Sequence, residues 1–365
     1  MKTRRIAFLC LALLAIRPAA ADPGQIPVEL RYPTKVTEMV LVGIEGGELV
    51  FRPPGVDEGG RAYLSIRELE RRRAVVNALY PPAFAEALRE LETGDAEAAL
   101  PKLERIARPV VPYLELGPVA GNLVPAVDAW LEALVETGRL EEAAALAGSI
   151  PLAEVPVSLF ARVVDLGIRL AEAGKAVLAD GLRREFLSVN IWPRAHQEEL
   201  MRLAGLDRRE DRWAEAAELY RLVESQAGAL SPAARLWGAY CRIEADPDPP
   251  AEGFLATLPA PAEQDPSFPL AQLVRARALE RLDRPGEAMR AAASGVTAAP
   301  VDREWFPPLL LLAARLYETH GDRAAAESAY RQTVFLFPDS AWSGRASDAL
   351  DELKESHETE PETTL

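Results

Sequence analysis

Two apolar stripes between Pro307 and Ser340 constrain the fold of this chain most strongly. In each stripe, apolar or small side chains recur at intervals of three and four residues, which places them on one face of a helix. Gly321 and Asp322 separate the stripes, and Pro338 ends the second. The stripes consist of Leu309, Leu312 and Leu316 and of Ala326, Tyr330 and Thr333. The segment is therefore predicted to form two short helices folded back on each other, a unit that buries its apolar face only when neighbours stack on it.

Similar helix pairs are expected along most of the chain, because a glycine or aspartate recurs between apolar runs. These hinge residues are Gly94, Gly138, Gly174, Asp211, Asp283 and Gly321, with intervals of 44, 36, 37, 72 and 38 residues. The 72-residue interval is twice 36, so it should hold a degenerate pair, with a helix around Trp237 and a hinge at 246–250 that is too proline-rich to be helical. The 44-residue interval is explained by a Pro/Gly-rich loop at 109–122. Seven helix pairs are predicted over residues 80–340.

Several of these units share one order of small and aromatic side chains. The last unit has Ala314 and Tyr317 on its first helix and Ala326, Tyr330 and Pro338 on its second. After the hinge at Asp211, the second helix of another unit carries Trp213, Ala216 and Tyr220 at the large, small and aromatic positions. This 34-residue pattern resembles the tetratricopeptide repeat. The resemblance implies a mainly α fold, a helix-turn-helix repeat solenoid forming a superhelix, whose groove binds a protein or peptide partner. The aromatic place is taken by Leu103, Ala147, Arg183 and Ala292 in other units, so related helical-hairpin repeats remain an alternative for the middle of the array.

Close helix crossings are expected where these units carry a small residue. Gly167 and Ala326 occupy such places. Leucine at either position is therefore expected to overpack a crossing.

Residues 22–79 differ in residue composition from the rest of the chain and are predicted to form a small β module with a linking helix. Short runs rich in Val, Ile, Leu, Phe and Tyr indicate about four strands, and Gly46–Gly47 fits a two-residue hairpin turn. Ser65 and Glu68 form a capping box, from which a helix is predicted through about Leu79. Two roles are open for the module, a docking domain or a cap on the exposed end of the array.

The C-terminal region is predicted to close the array. Residues 341–354 can form one amphipathic end helix, and residues 355–365 are acidic, polar and expected to be disordered. The junction FPDSAWSGRA is similar to joints between repeats in periplasmic tetratricopeptide proteins of Gram-negative envelopes.

Residues 1–21 have the layout of a cleaved secretory signal, with a basic start, an apolar run and small residues before Asp22. The apolar run at 6–16 is shorter than the roughly 20 residues that span a bilayer, and a retained anchor is the alternative. The protein is therefore expected in the periplasm or outside the cell. Signal removal would take the net charge from −15 to −19, because four basic residues leave with it. A surface this acidic disfavours nucleic acid and anionic lipid as partners.

No catalytic, cofactor or metal site is predicted from the sequence. His196, His320 and His357 are far apart and lack a second metal ligand at useful spacing. Cys241 lies in an apolar helical run and is interpreted as a core residue. The chain is thus predicted to be an interaction scaffold and not an enzyme. The alternatives are a structural subunit of an envelope assembly and, more remotely, a hydrolase that uses a lone carboxylate or Cys241.

The resemblance also implies which side chains line the groove, because the first helix of each pair faces it. Carried over by position, these residues are Arg208, Arg209, Arg235, Arg242, Arg277, Arg281 and Arg315, with Met201, Leu273 and Leu311 beside them. An arginine-lined groove suits an acidic peptide, since guanidinium can donate two parallel hydrogen bonds to carboxylate. Two alternatives stay open: the arginines pair within their own helices, as Arg277 could with Glu280, or the acidic tail fills the groove.

The signal assignment predicts the N-terminus of the mature protein. Intact mass and N-terminal sequencing of protein from the envelope fraction should show a chain that begins at Asp22. A chain that keeps residues 1–21 and sediments with membranes would instead identify the segment as an anchor.

Overall fold

The computed structural model describes residues 25–55, 60–189, 192–226, 228–248 and 253–359. The predicted signal peptide lies outside these residues. The chain divides into two compact units, the first ending at Leu182 and the second beginning at Arg183. Within the described ranges, no helix combines the length and the apolar character needed to cross a membrane.

The N-terminal module is a five-stranded antiparallel sheet of order β4-β3-β2-β1-β5. Its strands are β1 (Ile26–Arg31), β2 (Val36–Glu45), β3 (Glu48–Arg52), β4 (Ala62–Ser65) and β5 (Val75–Ala78). The predicted hairpin turn joins β2 to β3, and Gly46 and Gly47 have φ values of 60° and 82°, as primed turns require.

The prediction of one helix from Ser65 through Leu79 is wrong. Ser65 does cap a helix, accepting a hydrogen bond from the Glu68 amide, but this helix, α1, spans only Ile66–Arg71. Arg73 then adopts a positive φ of 51°, which ends the helix. The β-branched Val75 and Val76 follow, and this segment pairs with β1 as the fifth strand.

In the part of the chain that the structure describes, seven helix pairs and an end helix follow the sheet, as predicted. The helices are α2 (Pro82–Glu92), α3 (Ala96–Ala107), α4 (Val124–Glu136), α5 (Leu140–Ala147), α6 (Val157–Glu172), α7 (Ala176–Ser188), α8 (Gln197–Arg209), α9 (Trp213–Glu224), α10 (Ser231–Ala245), α11 (Phe254–Thr257), α12 (Phe268–Arg281), α13 (Pro285–Ala298), α14 (Phe306–Thr319), α15 (Arg323–Leu336) and α16 (Ala341–Thr359). The fold class, mainly α with a small N-terminal sheet, is confirmed. The degenerate fifth pair has a second helix, α11, of only four residues.

All six predicted hinge residues have positive φ, between 55° at Asp283 and 84° at Gly94. At each hinge, the hinge amide bonds to the carbonyl three residues back, and the next amide bonds to the carbonyl five residues before it. Gly94 and Asp95, for example, donate to Leu91 and Glu90 at 3.0 and 2.8 Å. This is the Schellman arrangement, which satisfies the last carbonyls of the first helix and reverses the chain.

The Pro/Gly-rich segment in the first long interval joins the sheet to the helices. Val111–Ala120 forms 3-10 turns, not an irregular loop. The Asn122 side-chain amide then extends β5, accepting from the Ala78 amide at 2.6 Å and donating to its carbonyl at 3.0 Å. Tyr80 donates to the Asn122 carbonyl at 2.9 Å. The module is therefore hydrogen-bonded to the segment that leads into α4.

The end of the array has its own apolar core. Leu310, Ala314, Tyr330 and Trp342 are buried together where α16 packs on α14 and α15. The end helix runs to Thr359, beyond its predicted end at Lys354, and the backbone of residues 355–359 is helical. The rest of the predicted tail lies outside the described residues.

Close helix approach occurs at a different glycine from the predicted one. Ala326 is fully buried, as expected, but a Cβ built on Gly167 would meet no heavy atom within 4 Å. On Gly295 of α13, the same atom would lie 2.9 Å from a Leu309 methyl and 3.0 Å from Gln272 Cβ. Gly295 therefore allows α13 to approach α12 and α14.

The two glycines give a matched pair of alanine variants. Gly167→Ala should be neutral or stabilising by up to about 1 kcal/mol, because alanine has the higher helix propensity. Gly295→Ala should be at least about 1 kcal/mol less stable than Gly167→Ala, because its methyl group overpacks the crossing. Urea denaturation of both variants measures the difference, and equal stabilities would contradict the assignment.

Candidate functional site

A cleft of about 240 Å³ in the second unit gathers side chains from six helices. Its lining residues are Trp213 of α9, Tyr240 and Glu244 of α10, Arg277 of α12, Pro308, Leu311 and Arg315 of α14, Tyr330 of α15, and Trp342, Arg345 and Ala349 of α16. Four aromatic rings and three arginines thus converge on one small space.

The aromatic wall is rigid because its rings are packed and hydrogen-bonded. Tyr240 makes edge contacts with Trp213 and with Trp237, at centroid distances of 6.0 and 5.8 Å. Tyr330 donates to Glu318 Oε2 at 2.8 Å. Burial raises the pKa of both tyrosines, so both rings stay neutral at physiological pH.

Arg277 is held inside the protein by two glutamates. Its Nε and Nη2 donate to the two Glu244 oxygens at 2.7 and 2.8 Å, and Nη1 contacts Glu280. Burial opposes the charge of Arg277, but the hydrogen bonds and charges of these glutamates outweigh it, and the pKa of Arg277 is raised. Its donors are largely used, so Arg277 serves to shape the cleft.

Among the three arginines that line the cleft, Arg315 is the one whose hydrogen-bond donors are used least. Its side chain is 43% exposed, and its nearest carboxylate, Glu280, is 3.7 Å away and already contacts Arg277. Its Nε is buried and has no hydrogen-bond partner in the described part of the chain. A carboxylate that entered the cleft could accept this hydrogen bond.

Arg345 closes the cleft on the side of the end helix. Its Nη2 contacts both Asp211 oxygens at 2.6 Å, and its guanidinium lies 4.7 Å from the centre of the Trp342 ring. The contact joins α16 to the hinge between α8 and α9, 134 residues earlier. The two side chains are 37% and 53% exposed, so the pair is open to water and contributes little to stability.

Two solved structures illustrate what the chain is similar to. One is a tetratricopeptide repeat protein from Parabacteroides merdae ATCC 43184, with 12% identity, a TM-score of 0.39, and coverage of 74% of this chain and 97% of that one. Another is the APC/C hetero-tetramer Cut9-Hcn1, with 13% identity, a TM-score of 0.30, and coverage of 79% and 44%. No protein-family model and no curated protein matches the chain. Likenesses this distant say nothing about a partner or an activity.

Of the side chains predicted to line a groove, three line this cleft: Arg277, Arg315 and Leu311. Leu273 is buried in the core, and Met201 is half-buried on α8. Arg209 and Arg242 are exposed on α8 and α10 and do not line the cleft.

The remaining predicted arginines hold the protein's own elements together. Arg208 is 1% exposed, lies 3.6 Å from the centre of the Trp237 ring and contacts Glu304 at 2.9 Å. Arg235 donates to the Thr257 carbonyl at 2.9 Å, and Arg281 donates to the carbonyls at 246–248. The expected pairing within one helix occurs between Arg277 and Glu280, whereas the other contacts join different elements.

The sequence interpretation missed Trp213, Tyr240, Trp342 and Arg345 as cleft residues. In the sequence, Trp213 belongs to the repeat pattern and Trp342 lies in the amphipathic end helix, so both fit packing positions. Their residue types could have marked them as binding residues, since Trp, Tyr and Arg dominate the energetics of protein interfaces. Which of them share a cleft depends on how α16 packs.

The Asp211–Arg345 contact predicts a salt-sensitive cleft. Asp211→Asn and Arg345→Gln should each increase quenching of Trp213 and Trp342 by acrylamide, while the free energy of unfolding falls by less than about 1 kcal/mol. High salt should act on the native protein in the same direction. Fluorescence lifetimes provide the measurement. Replacing Trp213 and Trp342 by phenylalanine, one at a time, assigns the change to each tryptophan.

The double variant, Asp211→Asn with Arg345→Gln, should be quenched no more than either single variant, because both changes remove the same contact. Arg221→Gln, which removes an exposed pair with Glu218, is the control. Equal quenching in the control and in the other variants would show that the contact does not hold α16 in place.

Proposed function

We propose that the protein is an exported interaction scaffold that binds an acidic segment of a partner protein in the cleft between α9 and α16. The observation that carries this proposal is the convergence of Trp213, Tyr240, Tyr330 and Trp342 with three arginines. These residue types supply most of the binding energy in protein interfaces, because large rigid side chains desolvate well. The placement outside the cytoplasm rests on the sequence of residues 1–21 alone.

Charge supports an acidic partner. Three arginines and one glutamate line the cleft, and because Arg277 and Arg345 are already paired with carboxylates, Arg315 is the cation left to attract an acidic segment. Arg315 has an unused buried donor, and Arg345 can exchange Asp211 for a carboxylate of the partner. An aspartate or glutamate is therefore favoured over a neutral side chain at this place.

The size of the cleft supports a peptide side chain more than a cofactor. Small-molecule sites usually enclose about 300 to 1,000 Å³. A space of about 240 Å³ holds one or two side chains of an extended segment, with the carboxylate near Arg315 and an apolar neighbour against the aromatic wall. The rest of the segment would lie along the rim.

The thiol named in the hydrolase alternative is enclosed in the core. Cys241 is fully buried, and burial raises its pKa to about 12, so it is a poor nucleophile. Within the described ranges, no three His, Cys, Asp or Glu residues are placed to hold a metal ion.

The binding test compares two arginines with the same charge and different positions. A fluorescein-labelled peptide of alternating glutamate and leucine should bind the native chain, and its glutamine counterpart should not. Arg315→Gln should weaken binding by about 10-fold or more, because a charge-assisted hydrogen bond is lost. Arg209→Gln, an exposed arginine outside the cleft, should leave binding unchanged. Fluorescence anisotropy at two salt concentrations measures both effects.

Equal losses in the two variants would show binding by overall charge and contradict the cleft. In cells, a photo-crosslinking residue at Ala349 should capture a partner that one at the exposed Asp348 does not, and Arg315→Gln should abolish that capture. A permanent subunit of an envelope assembly would instead co-purify regardless of Arg315.

A further inference from the structure

The outer face of α15 carries a stripe that does not belong to the cleft and is exposed at every position except the half-buried Glu327. The stripe consists of Ala324, Glu327, Ser328, Arg331, Gln332 and Phe335. Phe335 is 83% exposed, the highest value among the exposed large apolar side chains of the described chain. A single exposed phenylalanine is common on protein surfaces, so the inference depends on what surrounds it.

Two shallow hollows accompany the stripe. One, of about 390 Å³, is lined by the stripe itself. The other, of about 320 Å³, lies between α13 and α15 and has walls of small or apolar residues, among them Ala293, Val296 and Ala325. Ser328 and Gln332 border both hollows, so the hollows lie side by side along α15.

The order of residues makes this stripe complementary to itself. Ala324 and Phe335 lie at opposite ends, Glu327 and Gln332 lie inside them, and Ser328 and Arg331 lie nearest the middle. Set against a second α15 in the antiparallel direction, the large Phe335 meets the small Ala324, and the acidic part of one stripe meets the basic part of the other. If the two helices ran parallel, each residue would face its own counterpart, so Phe335 would meet Phe335 and Glu327 would meet Glu327.

We propose that the protein self-associates through α15, in an antiparallel, two-fold symmetric pair of helices whose axis passes between Ser328 and Arg331. Each Phe335 packs on Ala324 of the second copy and against the rim formed by Ala325. Each Glu327 faces the side of the second helix that carries Arg331, the partner it already has within its own helix at 2.6 Å. Such a contact is isologous, so it closes at two copies.

The association should be weak and reversible. One helix against another buries less than the roughly 1,200 Å² that stable complexes need. The inference does not rest on the proposed peptide function, because the stripe and the cleft share no residue.

Sedimentation velocity of the full chain over about 1 μM to 1 mM tests the proposal. The native protein should show a reversible monomer–dimer equilibrium. Phe335→Ala should raise the dissociation constant at least 10-fold, and Ala324→Trp should do the same by filling the place that Phe335 takes. Val177→Ala, at an equally exposed position in the first unit, should leave the constant unchanged.

Charge reversal tests the direction of the helices. Glu327→Arg alone and Arg331→Glu alone should each weaken the dimer, because like charges then face each other, and the double reversal should restore it. Circular dichroism should show native helix content in every variant, since the altered residues are outside the core. A protein that stays monomeric throughout, a dimer indifferent to Phe335 and Ala324, or a double reversal that fails to restore association would overturn the proposal.

Discussion

Six of the seven helix pairs in the described part of the chain depend on a turn whose central residue adopts a left-handed backbone conformation. Four of the six hinge residues are glycines, for which positive φ carries no side-chain penalty, and two are aspartates, which tolerate it better than most residues. The paired hydrogen bonds at each hinge end the first helix within one residue and start the second in the opposite direction. Without these turns, the apolar stripes would lie on helices that could not face each other.

A second constraint acts within the C-terminal unit, where a buried arginine joins distant segments. The Arg208 guanidinium stacks on Trp237 and contacts Glu304, which also accepts from the Trp237 indole at 2.9 Å. Burying a cation is unfavourable unless it is paired, so Glu304 must stay close to α8 and α10. The contact between Asp211 and Arg345 joins α16 to the same unit, and α16 supplies three of the residues that line the cleft.

The sequence predicted local features well, for reasons visible at single residues. Gly94 or Gly321 marks a hinge because the backbone requirement is local, and Ser65 caps a helix through its own side chain. The fifth strand was missed because Val75 and Val76 become a strand only by pairing with β1 and with the Asn122 amide, 44 residues away. Gly167 was assigned to a close crossing on its position in a repeat, yet the helix approach occurs at Gly295.

Periodicity and backbone preference act over a few residues, so the helix pairs, their number, their hinges and the separate β module could all be predicted without the structure. The sequence also determined that arginines would be concentrated on the first helices of the later pairs. Which arginines keep free donors depends on packing between distant segments. Arg277 and Arg315 each lie six residues before a hinge, yet the donors of Arg277 are taken by Glu244 and Glu280, whereas Arg315 opens into the aromatic cleft with a buried Nε that has no hydrogen-bond partner in the described part of the chain. That difference arises because contacts between residues far apart in the chain decide which carboxylates reach each arginine and how exposed its side chain is.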